Sequence, residues 1–259
     1  MNHGRNKMIT PEEGARIVSA LPESAREDAI AEIERLAFLY DVESFGKVFM
    51  ARHLTKPMAQ FHTEIYNMLP QHKYIALAAP RGSAKSTITM GIYAMNQIAF
   101  ANRRFIVMIS NTFKKASMYL ETLKYEVKTN ELLKGFFGLK RSEDRWAEGD
   151  AEFETKYGTV KVLCRGADQI PSIRGLKFRD TRPDLILLDD VEDDELVRSP
   201  ERRRQLQAEF RQVVMPAGAD GCQYVVIGTI LHYDSLLKRL IDGRDDRFYT
   251  RLYKALDEE

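Results

Sequence analysis

The sequence has little cysteine, a single tryptophan and almost no net charge: 259 residues hold two cysteines and sum to +1 at neutral pH. Cys164 and Cys222 stand in no metal-ligand spacing, which excludes a cysteine-built zinc site. Both fall in apolar, strand-like runs, "VKVLC" and "CQYVVIG". They are therefore expected to be buried, reduced thiols, and the compartment a reducing, cytosolic one. The small net charge excludes a strong global nucleic-acid footprint, though not a local basic patch. No apolar run approaches the roughly 18 to 20 residues of a membrane span. The start, "MNHGRNKMITPEEG", lacks the apolar centre of a signal peptide. Internal repeats and low-complexity tracts are absent as well. What is present is 44% hydrophobic and 30% charged residues, an ordinary globular balance. The length suffices for a sizeable core in roughly one or two domains.

The chain opens with helical signals. In "TPEEGARIVSAL", Thr10 is a candidate N-cap, with Pro11 at the first helical position and Glu13 completing a capping box. "PESAREDAIAEIERLAFLYDV" predicts a second helix, amphipathic through Ala29, Ile33, Leu36 and Leu39. Residues 1–50 read as a helical lead segment, followed by a main domain over 51–259. "PMAQFHTEIYNML" is a third helix. Beyond it, short apolar strands alternate with helices: strands are expected at 73–79, 104–110, 184–189 and 222–228, and a hairpin from "AEFET" to "GTVKVLC" turning at Tyr157–Gly158. Continuous apolar strands between helices imply an α/β fold with a mainly parallel sheet covered on both faces.

Glycine is missing at two positions of particular interest. In "ALAAPRGSAKSTITM", Lys85 and Ser86 set the register of the phosphate-loop pattern G-x-x-x-x-G-K-[ST], and its two glycines fall on Ala79 and Ala84. Gly82 lies inside the loop instead. A phosphate cradle needs backbone N–H groups turned inward at the start of a helix, where the macrodipole favours anions. Ala79, Pro80, Arg81, Gly82, Ser83, Ala84 and Thr87 would frame that cradle, with small residues permitting close approach. Lys85 would reach the β- and γ-phosphates of ATP and Ser86 would ligate Mg²⁺. The bland reading is a strand–turn–helix junction with a solvated Lys85. Arg81 would either touch a γ-phosphate or face solvent.

A second element favours the cradle. "RPDLILLDDVEDDE" is an apolar strand ending in carboxylates, and such an ending sits at the ligand-binding edge of a parallel sheet. Asp189 would hold Mg²⁺. Asp190 or Glu192 would polarise the attacking water. The competing reading is a solvated acidic loop. Third, "YVVIGTILHYDSLLKRL" ends a strand at Gly228–Thr229. The Thr229 hydroxyl would sense the γ-phosphate there, or simply make a local turn or cap.

Taken in order, "QFHTEI", "APRGSAKST", "FIVMISNT", "IRGLKFRDTRPDLILLDDVEDDE" and "VIGTILHYDSLLKRL" resemble the large terminase subunit of tailed bacteriophages, over about residues 50 to 259. The resemblance implies an ASCE-type, RecA-like P-loop ATPase that drives double-stranded DNA into a preformed capsid. It makes Lys85 and Ser86 the phosphate and Mg²⁺ residues and Asp189 the Walker B aspartate. Arg81 becomes a γ-phosphate contact, Gln60 a reader of adenine, and Gly228 and Thr229 part of a motif coupling hydrolysis to movement. Implied partners are double-stranded DNA, a portal protein, a small terminase subunit and further copies in a ring, in the host cytoplasm at the procapsid portal. The family usually has Glu directly after the Walker B aspartate, whereas this chain has Asp190. The family also carries a C-terminal nuclease. This sequence ends at "YKALDEE", so the expectation is an ATPase domain without it.

An arginine finger would come in cis from Arg81 or in trans from Arg174 or the run Arg202, Arg203, Arg204. Local DNA contact is expected from Lys114 and Lys115. The competing classes are another P-loop enzyme, such as a helicase or a small-molecule kinase, and a nucleotide-gated binding module without turnover.

Overall fold

The computed structural model describes residues 35–55 and 57–254, together with Ser19, Pro22, Glu32 and Ile33. Apart from Ser19, the helix expected from Thr10 lies outside the described residues, as does Ala29. Residues 35–40 are helical. The expected apolar stripe is only partly buried, because Ile33 and Leu36 are exposed and Leu39 alone packs inward. Asp41 then starts a separate helix, α1 (Val42–Phe49), by accepting the Ser44 N–H at 2.9 Å.

The chain continues through α2 (Gln60–Met68), β1 (Tyr74–Ala78) and α3, a π-wound stretch Thr87–Tyr93 running into Ala94–Ala99. Next come β2 (Phe105–Ser110), α4 (Phe113–Thr129), α5 (Glu131–Phe137), β3 (Lys140–Ala147), β4 (Asp150–Thr155) and β5 (Gly158–Gly166). The last part holds β6 (Leu185–Asp189), α6 (Pro200–Glu209, extended by Phe210–Val214), β7 (Gln223–Gly228), α7 (Leu236–Ile241) and β8 (Tyr249–Leu252).

Eight strands form one sheet in the order β3-β4-β5-β2-β6-β7-β1-β8. The pairs from β5 through β8 are parallel, and β3, β4 and β5 form an antiparallel meander at one edge. The four strands read from the sequence are adjacent in the middle of the sheet. The hairpin turn falls one residue earlier than expected, on Lys156–Tyr157, since Thr155 pairs with Gly158. Successive side chains of a strand point to opposite faces. Ile106 and Met108 of β2 thus enter one core with α1 to α5, while Phe105, Val107 and Ile109 enter the other with α6 and α7. Both faces are buried, which explains the unbroken apolar runs. Cys164 and Cys222 are free and buried, and burial pushes both thiols up to about 12.

A phenylalanine cluster fixes α1 on this body. Phe45 is fully buried, and its ring lies 5.1 Å from Phe49, 6.0 Å from Phe137 and 6.1 Å from Phe100. The rings tie α1 to the ends of α3 and α5. Phe45→Ala is expected to destabilise the protein by about 3 to 5 kcal/mol. Chemical denaturation checks this; a loss under about 1 kcal/mol would mean that α1 is not part of the cooperative core.

Candidate functional site

The carboxyl ends of β1, β2, β6 and β7 lie along one edge of the sheet, and the loops leaving them meet there. After β1, Ala79 donates its N–H to Gly228 O at 3.0 Å, extending the β1–β7 ladder by one bond. The chain then turns through Pro80–Ala84 into α3. Gly82 (φ +76°) and Ala84 (φ +58°) both occupy the left-handed region. Gly82 enters it freely, whereas an alanine pays about 1 kcal/mol or more there. The loop thus has the glycine-type turn that its sequence lacks, with strain stored at Ala84. Ala84→Gly relieves that strain against a higher unfolded-state entropy, so a gain of up to about 1 kcal/mol is expected, read as a rise of a few degrees in Tm. A fall in Tm would show that the Ala84 side chain makes contacts worth more than the strain.

Lys85 opens the helix and is buried, at 4% exposure. Its Nζ lies 3.4 Å from both Pro80 O and Thr229 Oγ1, two neutral oxygens. Thr229 Oγ1 in turn donates to Ala79 O at 3.3 Å. A buried ammonium without a carboxylate partner is costly, and an anion in the loop would complete its coordination. The Ser83 hydroxyl is also buried without a hydrogen-bond partner among the described residues. Left-handed turns at Gly82 and Ala84, a buried cation and an orphaned hydroxyl in one loop fit a phosphate chain.

Beside Lys85, the Ser86 hydroxyl donates to Asp189 Oδ1 at 3.0 Å. Asp189 is wholly buried at the end of β6. Burial pushes its carboxyl above the usual range, opposed by the hydroxyl donated from Tyr119. Ser110 holds the Asp189 carbonyl oxygen at 2.8 Å and so anchors β2 to β6 at this edge. A hydroxyl beside a buried carboxylate is a hard oxygen set suited to Mg²⁺.

Asp190 is itself left-handed, with φ +43°. Its Oδ1 accepts the Thr229 N–H at 3.1 Å and its Oδ2 faces Lys115 Nζ at 3.2 Å. Gly228 suits this approach, since a Cβ there would come within 3.2 Å of Asp190 Oδ1. Arg81, Asn111, Lys115, Asp190, Glu192 and Thr229 border a cavity of about 170 Å³.

The other sequence candidates have different partners, although Arg81 and Glu192 border the same cavity. Glu192 is buried and accepts the Leu236 and Leu237 N–H groups at 2.7 and 3.3 Å. Its carboxylate is therefore occupied by the first two amides of α7, whose N-cap is Ser235. Burial raises its pKa, and the two amides oppose that rise. Arg81 is exposed and reaches Asp194 at 3.4 Å. Gln60 is exposed at the first residue of α2, and Thr87 is half-buried in the first turn of α3. Arg174 is exposed. Arg202 and Arg204 pair at the surface with Glu195 and Glu201, whereas Arg203 is buried against Val197 O and Asp234. Lys115 does not stand out as a DNA contact: its ion pairs with Asp190, and at 3.9 Å with Asp189, turn it into the site. Lys114 remains exposed.

Three residues near the site escaped the sequence reading as site residues. Lys115 and Tyr119 are one helical turn apart on α4, which places both against the β6 carboxylates. The third is His62 on α2, whose Nε2 lies 3.0 Å from Ser83 O. Only the i, i+4 spacing of Lys115 and Tyr119 was visible beforehand, and it does not say what that helix face meets.

No family model and no curated protein matches the sequence. Solved structures do match in fold. The large terminase of bacteriophage HK97 aligns over 85% of this chain and 45% of its own, with a TM-score of 0.56 and 14% identity. The large terminase of a thermophilic bacteriophage, in complex with ADP, aligns over 76% of this chain and 45% of its own, with a TM-score of 0.50 and 14% identity. The ATPase domain of the Thermus phage P74-26 large terminase aligns over 68% of this chain and 66% of its own, at a TM-score of 0.48 and 14% identity. This chain therefore spans 45% of the length of the first two of these proteins. At these identities the likeness is one of fold: the chain shares an α/β fold with the large terminases it aligns with.

Proposed function

We propose that this protein is a Mg²⁺-dependent ATPase, the motor domain of a large terminase that moves double-stranded viral DNA into a preformed capsid. The observation that carries the reading is the meeting of Lys85, Ser86, Asp189 and Thr229 at the carboxyl edge of four adjacent parallel strands. That edge is where parallel α/β sheets bind ligands. Residues 51–259 would form the ATPase domain, preceded by the helical segment 1–50. An endonuclease in the full-length protein rests on the resemblance alone.

The residues divide the work as follows. The loop amides of Arg81, Gly82, Ala84, Lys85 and Ser86 and the Lys85 ammonium bind the phosphates and neutralise charge that develops during transfer. Ser86 and Asp189 would hold Mg²⁺, whose charge would offset that of the nucleotide phosphates. Asp190, fixed by the Thr229 N–H and Lys115, orients the attacking water. Thr229 touches both Lys85 and, through its backbone, Asp190. It is therefore placed to carry a change at the phosphates into β7 and α7. Gln60 would read the adenine, and the arginine finger is assigned to Arg81 in cis or to Arg174 or Arg202 of a neighbouring copy.

Steady-state ATP hydrolysis with and without double-stranded DNA tests the reading. Mg²⁺-dependent turnover is expected, and its absence under every condition would leave a nucleotide-gated binding module, the class to which Asp190 in place of the usual Glu points. If the finger acts in trans, specific activity rises more than linearly with protein concentration or on addition of portal protein. Constant specific activity over a wide concentration range would assign the finger to Arg81. Weak DNA binding by the monomer, falling steeply with salt, is expected from the +1 net charge.

A further inference from the structure

His62 sits outside the phosphate loop, on the first turn of α2, and its two ring nitrogens have different partners. Nδ1 accepts the Ala59 N–H at 2.9 Å, while Nε2 lies 3.0 Å from Ser83 O. A nitrogen that accepts a backbone N–H carries no proton, so the neutral ring is protonated on Nε2. Nε2–H then donates to the Ser83 carbonyl. The Ser83–Ala84 peptide is trans, as all the described peptide bonds are. In a planar trans peptide the carbonyl and the following N–H point in opposite directions. Drawing the Ser83 oxygen outward to α2 turns the Ala84 N–H towards the inside of the loop. Ala84 is also the residue held left-handed at φ +58°, so its strain and this bond act on the same peptide.

A second tie holds α2 in place for this. The Tyr253 N–H donates to Ala78 O, the last residue of β1, at 2.8 Å. The Tyr253 ring packs 5.4 Å from Phe61, the neighbour of His62, and its hydroxyl donates to Glu64 at 2.8 Å. The start of α2 is therefore fixed to the strand end from which the loop departs. The hydrogen bond from His62 reaches across to the loop's far side.

We infer that His62 is a positioning residue of the nucleotide site: its Nε2–H fixes the Ser83–Ala84 peptide so that the Ala84 N–H faces the α- and β-phosphates of a bound nucleoside di- or triphosphate. The inference rests on the nucleotide reading above. Donors of this loop cradle the α- and β-phosphates, which are present in the ground state and the transition state alike. Losing such a contact weakens binding uniformly, so KM rises while kcat holds. A loss of folded protein would instead lower apparent kcat and leave KM alone.

Two variants separate the roles of the ring. His62→Met has no polar atom to replace either bond. His62→Gln keeps an acceptor for the Ala59 N–H, the ordinary capping-box arrangement, and a donor for Ser83 O. Equilibrium binding of ADP and of ATP is measured for the wild type and both variants, with KM and kcat for ATP hydrolysis. Losing one hydrogen bond to a charged phosphate corresponds to about a tenfold rise in Kd. That rise is expected for His62→Met with both nucleotides equally, with KM following and kcat within about twofold. His62→Gln is expected near the wild type. Unchanged Kd in His62→Met, an equal loss in both variants, or a fall in kcat at constant KM would each overturn the inference. A wild type that binds neither nucleotide would overturn the nucleotide reading, and this inference with it.

Discussion

Lys85→Met is expected to lower kcat for ATP hydrolysis by at least about 10² to 10³-fold, the range seen when a preorganised charge-stabilising group is removed. The ammonium is 4% exposed and held between Pro80 O and Thr229 Oγ1 at 3.4 Å. Screening by water is weak at such a site, so its attraction for phosphate charge is larger than at a surface. Both contacts are long and neutral, and neither compensates the buried charge. The same substitution should therefore leave the apo protein as stable as before or more stable, since it removes a desolvated cation and keeps an apolar chain of similar length. Activity and Tm are measured on one preparation. Activity lost with Tm held or raised identifies Lys85 as a functional residue. A large fall in Tm would make it a structural one, and retention of more than about a tenth of the activity would remove it from the phosphate site.

Legibility in the sequence follows burial. Strands β1, β2, β6 and β7 are covered on both faces, so their residues had to be apolar throughout, and the runs "YIALA", "FIVMIS", "LILLD" and "QYVVIG" announced them. The edge strands had no such constraint. β3, "KRSEDRWA", is mostly exposed and reads as a polar loop, and β8, "YTRL", has four residues on the opposite edge. The helix at Val42–Phe49 was hidden for another reason. Its apolar residues continue those of the helix before it, and only Asp41, acting as a cap, divides the two.

The site was legible where chain order determines place. A residue just past a buried parallel strand must lie at the carboxyl edge, which brings Lys85, Asp189 and Thr229 together from sequence alone. Residues that reach the edge from neighbouring helices were not legible as part of it. Lys115 and Tyr119 depend on how α4 rolls against β6, and His62 on where α2 ends relative to the loop. Ala84 shows the same limit in the backbone. The missing glycine was visible, but that alanine holds φ +58° is a property of the fold around it. Glu192 was assigned by its distance in sequence from Asp189, and the start of α7 has taken both of its oxygens instead.

Asp190→Asn and Glu192→Gln should therefore separate cleanly. Asp190 and Glu192 both border the cavity, but the Asp190 carboxylate is half-buried beside Lys115, whereas that of Glu192 is enclosed and holds two α7 amides. Asparagine keeps its size and its acceptor for the Thr229 N–H but loses the charge that polarises water and pairs with Lys115. Turnover is expected to fall by about 10² to 10⁴-fold, the usual contribution of a positioned acid–base group. ATP affinity should be kept or improved, because a negative charge near the phosphates is removed. Glu192→Gln loses charge-assisted bonds to the Leu236 and Leu237 amides. Its expected cost is about 1 to 3 kcal/mol of stability, with kcat within a few-fold for the protein that remains folded. Single-turnover hydrolysis, nucleotide affinity and thermal unfolding, measured on both variants, give the comparison. If Glu192→Gln abolishes turnover at unchanged Tm and Asp190→Asn does not, the roles are reversed. The bonds from α7 to Glu192 must then open before ATP is cleaved, which would make the start of α7 a moving part of the motor.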